Sequence, residues 1–163
     1  MWYTMNGNTF TGRIAHRMRL DETQEWLVEH APITSVGALK SHNWHMHSFH
    51  FQVLRAQTAD GMWHDNSPML DWKMGDWRDT VNVPRGGRVV VRFKPTKYTG
   101  LVLHHCHVNN HETAGLKEMV AVMDCSAEAR LAIRASCRGL DLWPWAGFNC
   151  SDACSDKSMF MEG

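Results

Sequence analysis

The stretch Leu101-Val102-Leu103-His104-His105-Cys106-His107 follows a Thr99-Gly100 turn signal and runs on into Val108-Asn109-Asn110-His111-Glu112-Thr113-Ala114-Gly115-Leu116. Its aliphatic and branched residues predict a strand over Leu101–His107. Side chains on a strand alternate between its two faces. His105 and His107 therefore share one face, and Cys106 between them points to the other. One strand can present two imidazoles on one side and a thiol on the opposite side. A second segment, His42-Asn43-Trp44-His45-Met46-His47, obeys the same parity: if it is extended, His45 and His47 point the same way.

Around these segments, short runs rich in branched and aromatic residues alternate with turn signals such as Asn6-Gly7, Asp60-Gly61 and Pro84-Arg85-Gly86-Gly87. Strands are predicted over Glu25–Val28, Phe49–Leu54, Thr80–Val83, Arg88–Phe93 and Met119–Met123. Regularly spaced strands without long helical patterns between them predict an all-β sandwich for residues 1–125. Ser126 reads as a helix N-cap and Gly139 as the stop, so residues 126–163 are expected to form a short C-terminal helix and an irregular tail containing cysteines.

The 163 residues suit one domain with a full core. Lys+Arg and Asp+Glu both count 17, which argues against a general attraction to nucleic acid or anionic membrane. No apolar run approaches the ~18 residues of a membrane span. The first residues lack the basic flank and apolar stretch of a signal peptide, so either the chain is cytosolic or a leader and upstream domains are missing. Cys125, Cys137, Cys150 and Cys154 all lie in the last third. Disulfides, with pairings the sequence does not rank, free buried thiols and a zinc site are all open for them.

A thiolate with two imidazoles and a weak or absent axial ligand is the donor set of a blue-copper electron-transfer site. Cys106 supplies the sulfur, His111 lies five positions on, and His42 can close the triangle. The two segments resemble the H-P-x-H-x-H and H-C-H-x-x-x-H-x-x-x-x-M motifs of the last cupredoxin domain of multicopper oxidases, the family of laccases, bilirubin oxidases and ferroxidases. Thr4-Met5-Asn6-Gly7 with Phe10 is similar to the strand that opens that domain. Trp77-Arg78-Asp79-Thr80-Val81 with Val83-Pro84 is similar to its W-R-D-T-V-x-V-P stretch. The resemblance implies a cupredoxin-like Greek-key β-sandwich. It also implies that His42, Cys106 and His111 hold a type 1 copper, His45 a type 2 copper, and His47, His105 and His107 the type 3 pair. Electrons in this family commonly enter at the edge of the histidine matching His111. Glu112 matches an acidic position thought to help protonate reduced oxygen in some bacterial laccases.

Three positions depart from the family pattern. Asn43 replaces a proline, Asn109 stands where many laccases carry an acid, and Leu116 occupies the axial position where methionine is common. Leucine cannot coordinate, which leaves a three-coordinate site of raised potential. The chain carries only half of the histidines that a complete trinuclear cluster of this family uses. An N-terminal cupredoxin domain or a neighbouring subunit, a homo-oligomer included, would supply the others. The expected function is oxidation of a phenolic, aromatic or metal-ion donor coupled to reduction of dioxygen. The alternatives are a stand-alone blue-copper electron carrier and a copper storage or delivery protein. Copper chemistry and the extra cysteines tilt the expected location towards secretion or the periplasm. His16, His30, His50, His64 and His104 read as ordinary surface or core histidines, and Trp44 and Trp63 as packing residues able to line a substrate surface.

Overall fold

The computed structural model describes residues 3–30, 41–67 and 72–126. The expected C-terminal helix, together with Cys137, Cys150 and Cys154, lies outside the described residues. Cys125 is disulfide-bonded, whereas Cys106 is a free thiol.

The elements in chain order are β1 (Ile14–Arg19), β2 (Gln24–Glu29), β3 (His42–Met46), β4 (Phe51–Gln57), β5 (Trp63–His64), β6 (Asn66–Ser67), β7 (Trp72–Lys73), β8 (Trp77–Arg78), β9 (Thr80–Val83), β10 (Arg88–Phe93), β11 (Gly100–Cys106), α1 (Asn109–Thr113) and β12 (Lys117–Met123). One five-stranded sheet runs β1-β12-β11-β3-β9, and a second runs β2-β10-β4-β5 with β8 also paired to β4. This is the expected cupredoxin-like β-sandwich.

Period-two patterning sets the inward faces. In β10, Val89, Val91 and Phe93 are buried while Arg92 is exposed. In β2, exposure alternates residue by residue along Gln24–Glu29. The first sheet contributes Met18, Trp44, Met46, Val81, Val83, Val102, Val120 and Val122 to a single core, and the second contributes Phe51, Val53, Ala56, Val89, Val91 and Phe93. Burying each such Val or Phe side chain stabilises the fold by about 1.5–3 kcal/mol. Trp44 bridges the layers, its ring 4.9 Å from that of Phe51 and 6.1 Å from that of Trp26.

Two expectations need correction. Residues 4–10 are not the opening strand: Asn6 and Gly7 both take positive φ and form a turn closed by the Met5–Asn8 bridge. The opening strand is Ile14–Arg19, which pairs in parallel with β12. Trp44 is only 3% exposed, so it packs the core and lines no substrate surface.

Candidate metal centre

Register decides which side of the first sheet each candidate ligand occupies. In the antiparallel β11–β3 ladder, His104 pairs with Met46, His105 with His45 and Cys106 with Trp44. Trp44, Met46 and Val102 face the core, so Cys106 and His42, at the same parity, lie on the inward side. His45 and His105 lie on the outward side.

On the inward side, the chain leaves β11 and turns through α1, a single helical turn begun at Val108, whose carbonyl accepts the N–H groups of His111 (2.8 Å) and Glu112 (3.0 Å). That turn swings His111 back over the strand end. His111 Nδ1 comes within 3.5 Å of Cys106 Sγ and 3.1 Å of His42 Nδ1, and His42 Nδ1 lies 3.6 Å from Cys106 Sγ. Cys106 and His111 are buried, 1% and 4% exposed. Burial, followed by the neighbouring His30 and His111, lowers the His42 pKa to about 4. The ring is therefore neutral near pH 7, the form that ligates metals. One sulfur and two nitrogens converging in a dry pocket fit a soft, redox-active ion such as copper. Leu116 is buried as well, and its backbone ties the loop together: Cys106 N–H donates to Leu116 O and Leu116 N–H to His111 O, each at 3.0 Å.

The outward side gathers His45, His47 and His105, whose ligand atoms all lie within 4.8 Å of one another. His45 Nδ1–H donates to the Asp79 carbonyl and to Thr80 Oγ1, both at 2.9 Å, and the Thr80 hydroxyl donates in turn to Asp79 Oδ1. His105 Nδ1–H donates to Cys106 O at 3.0 Å. These bonds fix both tautomers and leave the Nε2 lone pairs for the cluster, the usual role of groups behind a metal-ligating imidazole. His105 Nε2 faces His47 Nε2 at 3.1 Å. Burial lowers the His45 pKa, opposed by the Asp79 carbonyl and carboxylate and reinforced by His105 and His47. His107 is exposed and stands at the margin, its ring 5.2 Å from that of His45 and 5.8 Å from that of His105. Glu112 sits on the far side of His105, with Oε2 3.6 Å from Nδ1, and Oε1 is 4.0 Å from Lys117 Nζ.

Among the histidines expected to be ordinary, His104 accepts a hydrogen bond from Trp44 Nε1 at 3.2 Å, and burial lowers its pKa to about 3. His30 is different. It is 4% exposed and its ring stacks on that of His42, with centroids 5.0 Å apart and planes inclined by 25°. Tyr3 covers His111 in a comparable way, with centroids 4.4 Å apart. Neither residue is signalled by local sequence, since each reaches its partner through the fold. Asp79 and Thr80 do carry a signal, because they fall in the Trp77–Val81 stretch that resembles the family motif.

A family model described as multicopper oxidase matches residues 1–125. Laccase-11 of Arabidopsis thaliana is 30% identical over 116 residues, covering 70% of this chain and 20% of that protein. A multicopper oxidase of Staphylococcus haemolyticus is 29% identical over 120 residues, covering 73% of this chain and 24% of its own length. The crystal structure of a multi-copper oxidase from Pediococcus acidilactici superposes with a TM-score of 0.60 at 26% identity, covering 74% of this chain and 23% of that one. The chain thus spans about a fifth of the length of the curated relatives it matches.

Proposed function

Since this chain belongs to the multicopper oxidase family, we propose that it is the electron-collecting part of a copper oxidase that couples one-electron oxidation of a phenolic, aromatic or metal-ion donor to reduction of dioxygen. The observation that carries this reading is the adjacency of Cys106 and His105: consecutive residues of one strand serve donor groups on opposite faces of the sheet. In this reading His42, Cys106 and His111 hold a type 1 copper, His45 a type 2 copper, and His47, His105 and His107 their share of a type 3 pair. Copper, when bound, supplies reversible one-electron chemistry that no side chain of the protein offers.

The residues contribute position and protonation state. Cys106 offers its sulfur in a buried pocket and is joined to its strand neighbour His105 by a single peptide unit, a short covalent route between the groups. Leu116, buried in the same loop, would bring bulk but no donor atom to a copper held by His42, Cys106 and His111, which favours a high potential. Asp79 and Thr80 hold the His45 ring, and the Cys106 carbonyl holds that of His105. The Glu112 carboxylate lies behind His105, on its Nδ1 side at 3.6 Å. The remaining cluster histidines come from another domain or subunit. A secreted or periplasmic location agrees with the disulfide at Cys125, and no helix among the described residues is long and apolar enough to cross a membrane.

Oxygen uptake by the copper-loaded protein with a phenolic donor tests the proposal, in the presence of whatever domain completes the cluster. No uptake under that condition sinks the oxidase reading. A stand-alone electron carrier remains the second reading, favoured by the completeness of the Cys106, His42 and His111 set within one chain. It requires one copper per monomer, whereas the oxidase reading requires more copper per chain in an assembly.

A further inference from the structure

His111 is the imidazole at which electrons are expected to enter, yet it is only 4% exposed. What stands over it is Tyr3. The two rings lie 4.4 Å apart at 34°, and the Tyr3 ring also meets His42 edge-on at 6.1 Å. Tyr3 is itself only partly buried, so the residue that covers His111 reaches solvent in part. Its position is secured by the loop it covers. Tyr3 N–H donates to Ala114 O at 2.9 Å, and a Cβ at Gly115 would come within 3.2 Å of Tyr3 O. Further along the same segment, Asn6 Nδ2–H donates to Glu118 Oε2 at 3.0 Å, and Lys117 Nζ lies over the Phe10 ring at 5.2 Å. Residues 3–10 thus form a strap tied to the loop and strand that carry His111 and Leu116.

We propose, building on the oxidase reading above, that Tyr3 is the residue against which an aromatic electron donor stacks, and that the electron reaches His111 through the Tyr3 ring. Electron tunnelling weakens steeply with distance and is carried better by packed atoms than by a gap, so the ring in contact with His111 is the favoured route. Tyr3 keeps its own oxidation state. A hydroquinone donor loses one electron and releases one proton to solvent, becoming a semiquinone radical, while one cupric ion held by His42, Cys106 and His111 becomes cuprous. The π-face of Tyr3 would select planar aromatic donors over compact inorganic ones.

The test uses the copper-loaded, oxidised full chain under anaerobic conditions and follows bleaching of the thiolate-to-copper band in a stopped-flow mixer. Hydroquinone and hexacyanoferrate(II) serve as donors. Tyr3→Leu should slow reduction by hydroquinone roughly three- to tenfold, with hexacyanoferrate(II) affected less and Tyr3→Phe close to wild type. The absorption band and reduction potential should be unchanged. Faster reduction in Tyr3→Leu would mean that Tyr3 is a shield, and an unchanged rate or an equal loss with both donors would mean that it docks nothing; each overturns the proposal. A second measurement does not depend on copper: 1,4-dimethoxybenzene, which is not oxidised here, is titrated into the copper-free chain and followed by NMR. Shifts of the Tyr3 and His111 ring signals support the docking site, and shifts confined elsewhere overturn it. A wild-type chain that never develops the thiolate-to-copper band would refute the oxidase reading itself, and the copper-free titration would still decide the docking site.

Discussion

His105 and His45 face one another across the β11–β3 ladder with ring centroids 5.3 Å apart, while the next rung pairs Cys106 with Trp44 on the opposite side of the sheet. Two donor groups therefore share a backbone without sharing a face. Cys106→Ser should abolish the blue absorption and leave copper bound at His45, His47 and His105. His45→Ala should do the reverse, keeping the blue band while lowering total copper. Elemental analysis and visible absorption on the same samples check both. Simultaneous loss of both signals in either variant would mean that the two groups are one site.

Thr80 acts on the outward group without touching it through a metal. Removing its hydroxyl in Thr80→Val leaves the Asp79 carbonyl as the one hydrogen-bond partner of His45 Nδ1, with the Asp79 carboxylate 4.0 Å away. Losing a partner behind a metal-ligating imidazole typically costs about 10–100-fold in metal affinity. With one partner kept, the expected loss is at the lower end, about tenfold. Competition with a chelator of known affinity measures it, and the blue band is the internal control that should not change.

How much of this was legible beforehand depends on whether the information is local. Thr80–Val83 and Arg88–Phe93 are read from sequence to the residue, because β-branched runs bounded by turn signals specify themselves. The facing of His45, His105 and Cys106 follows from parity alone. By contrast, β1 hides in Ile14-Ala15-His16-Arg17-Met18-Arg19, whose polar residues mask a strand that only parallel pairing with β12 explains. The turn at Asn109–Thr113 is too short to show helical periodicity. Tyr3 and His30 are invisible locally, since Tyr3 meets His111 across more than half the chain. Sequence also gave no hint that Glu112 lies on the Nδ1 side of His105.

Gly115 offers a test of the strap. It has φ +103°, and an added Cβ would sit 3.0 Å from Thr9 Cγ2 and 3.2 Å from Tyr3 O. Gly115→Ala combines a disfavoured backbone conformation with a steric clash and should destabilise the fold by about 1–3 kcal/mol. Chemical denaturation measures the loss. Hydroquinone oxidation should fall further than stability alone dictates, because the displaced strap carries Tyr3.

His16 makes the copper-free fold sensitive to acid. Burial against Trp26 and His104 lowers its pKa from 6.5 to about 4. The unfolded chain binds this proton first, so the stabilisation is fully present above pH 6.5 and is lost as pH falls from there towards 4. At about 1.4 kcal/mol per pKa unit, the span amounts to at most about 3.5 kcal/mol. Denaturant midpoints of the chelator-treated protein should drop between pH 7 and pH 5. In His16→Phe, that slope should lessen by the share of His16, the rest coming from His42 and His104, whose pKa values are lowered as well. An unchanged slope would assign the acid sensitivity to other groups.

The β11–β3 register has one more consequence, for how the protein can change by insertion and deletion. Because strand faces alternate with a period of two, losing a single residue between Leu101 and Cys106 would turn the thiol outwards and press an imidazole into the hydrocarbon interior. Losing two would restore every orientation and merely shorten the ladder. The tolerated lengths of this segment should therefore differ by even numbers, a parity rule that deep mutational scanning with in-frame codon deletions can read directly.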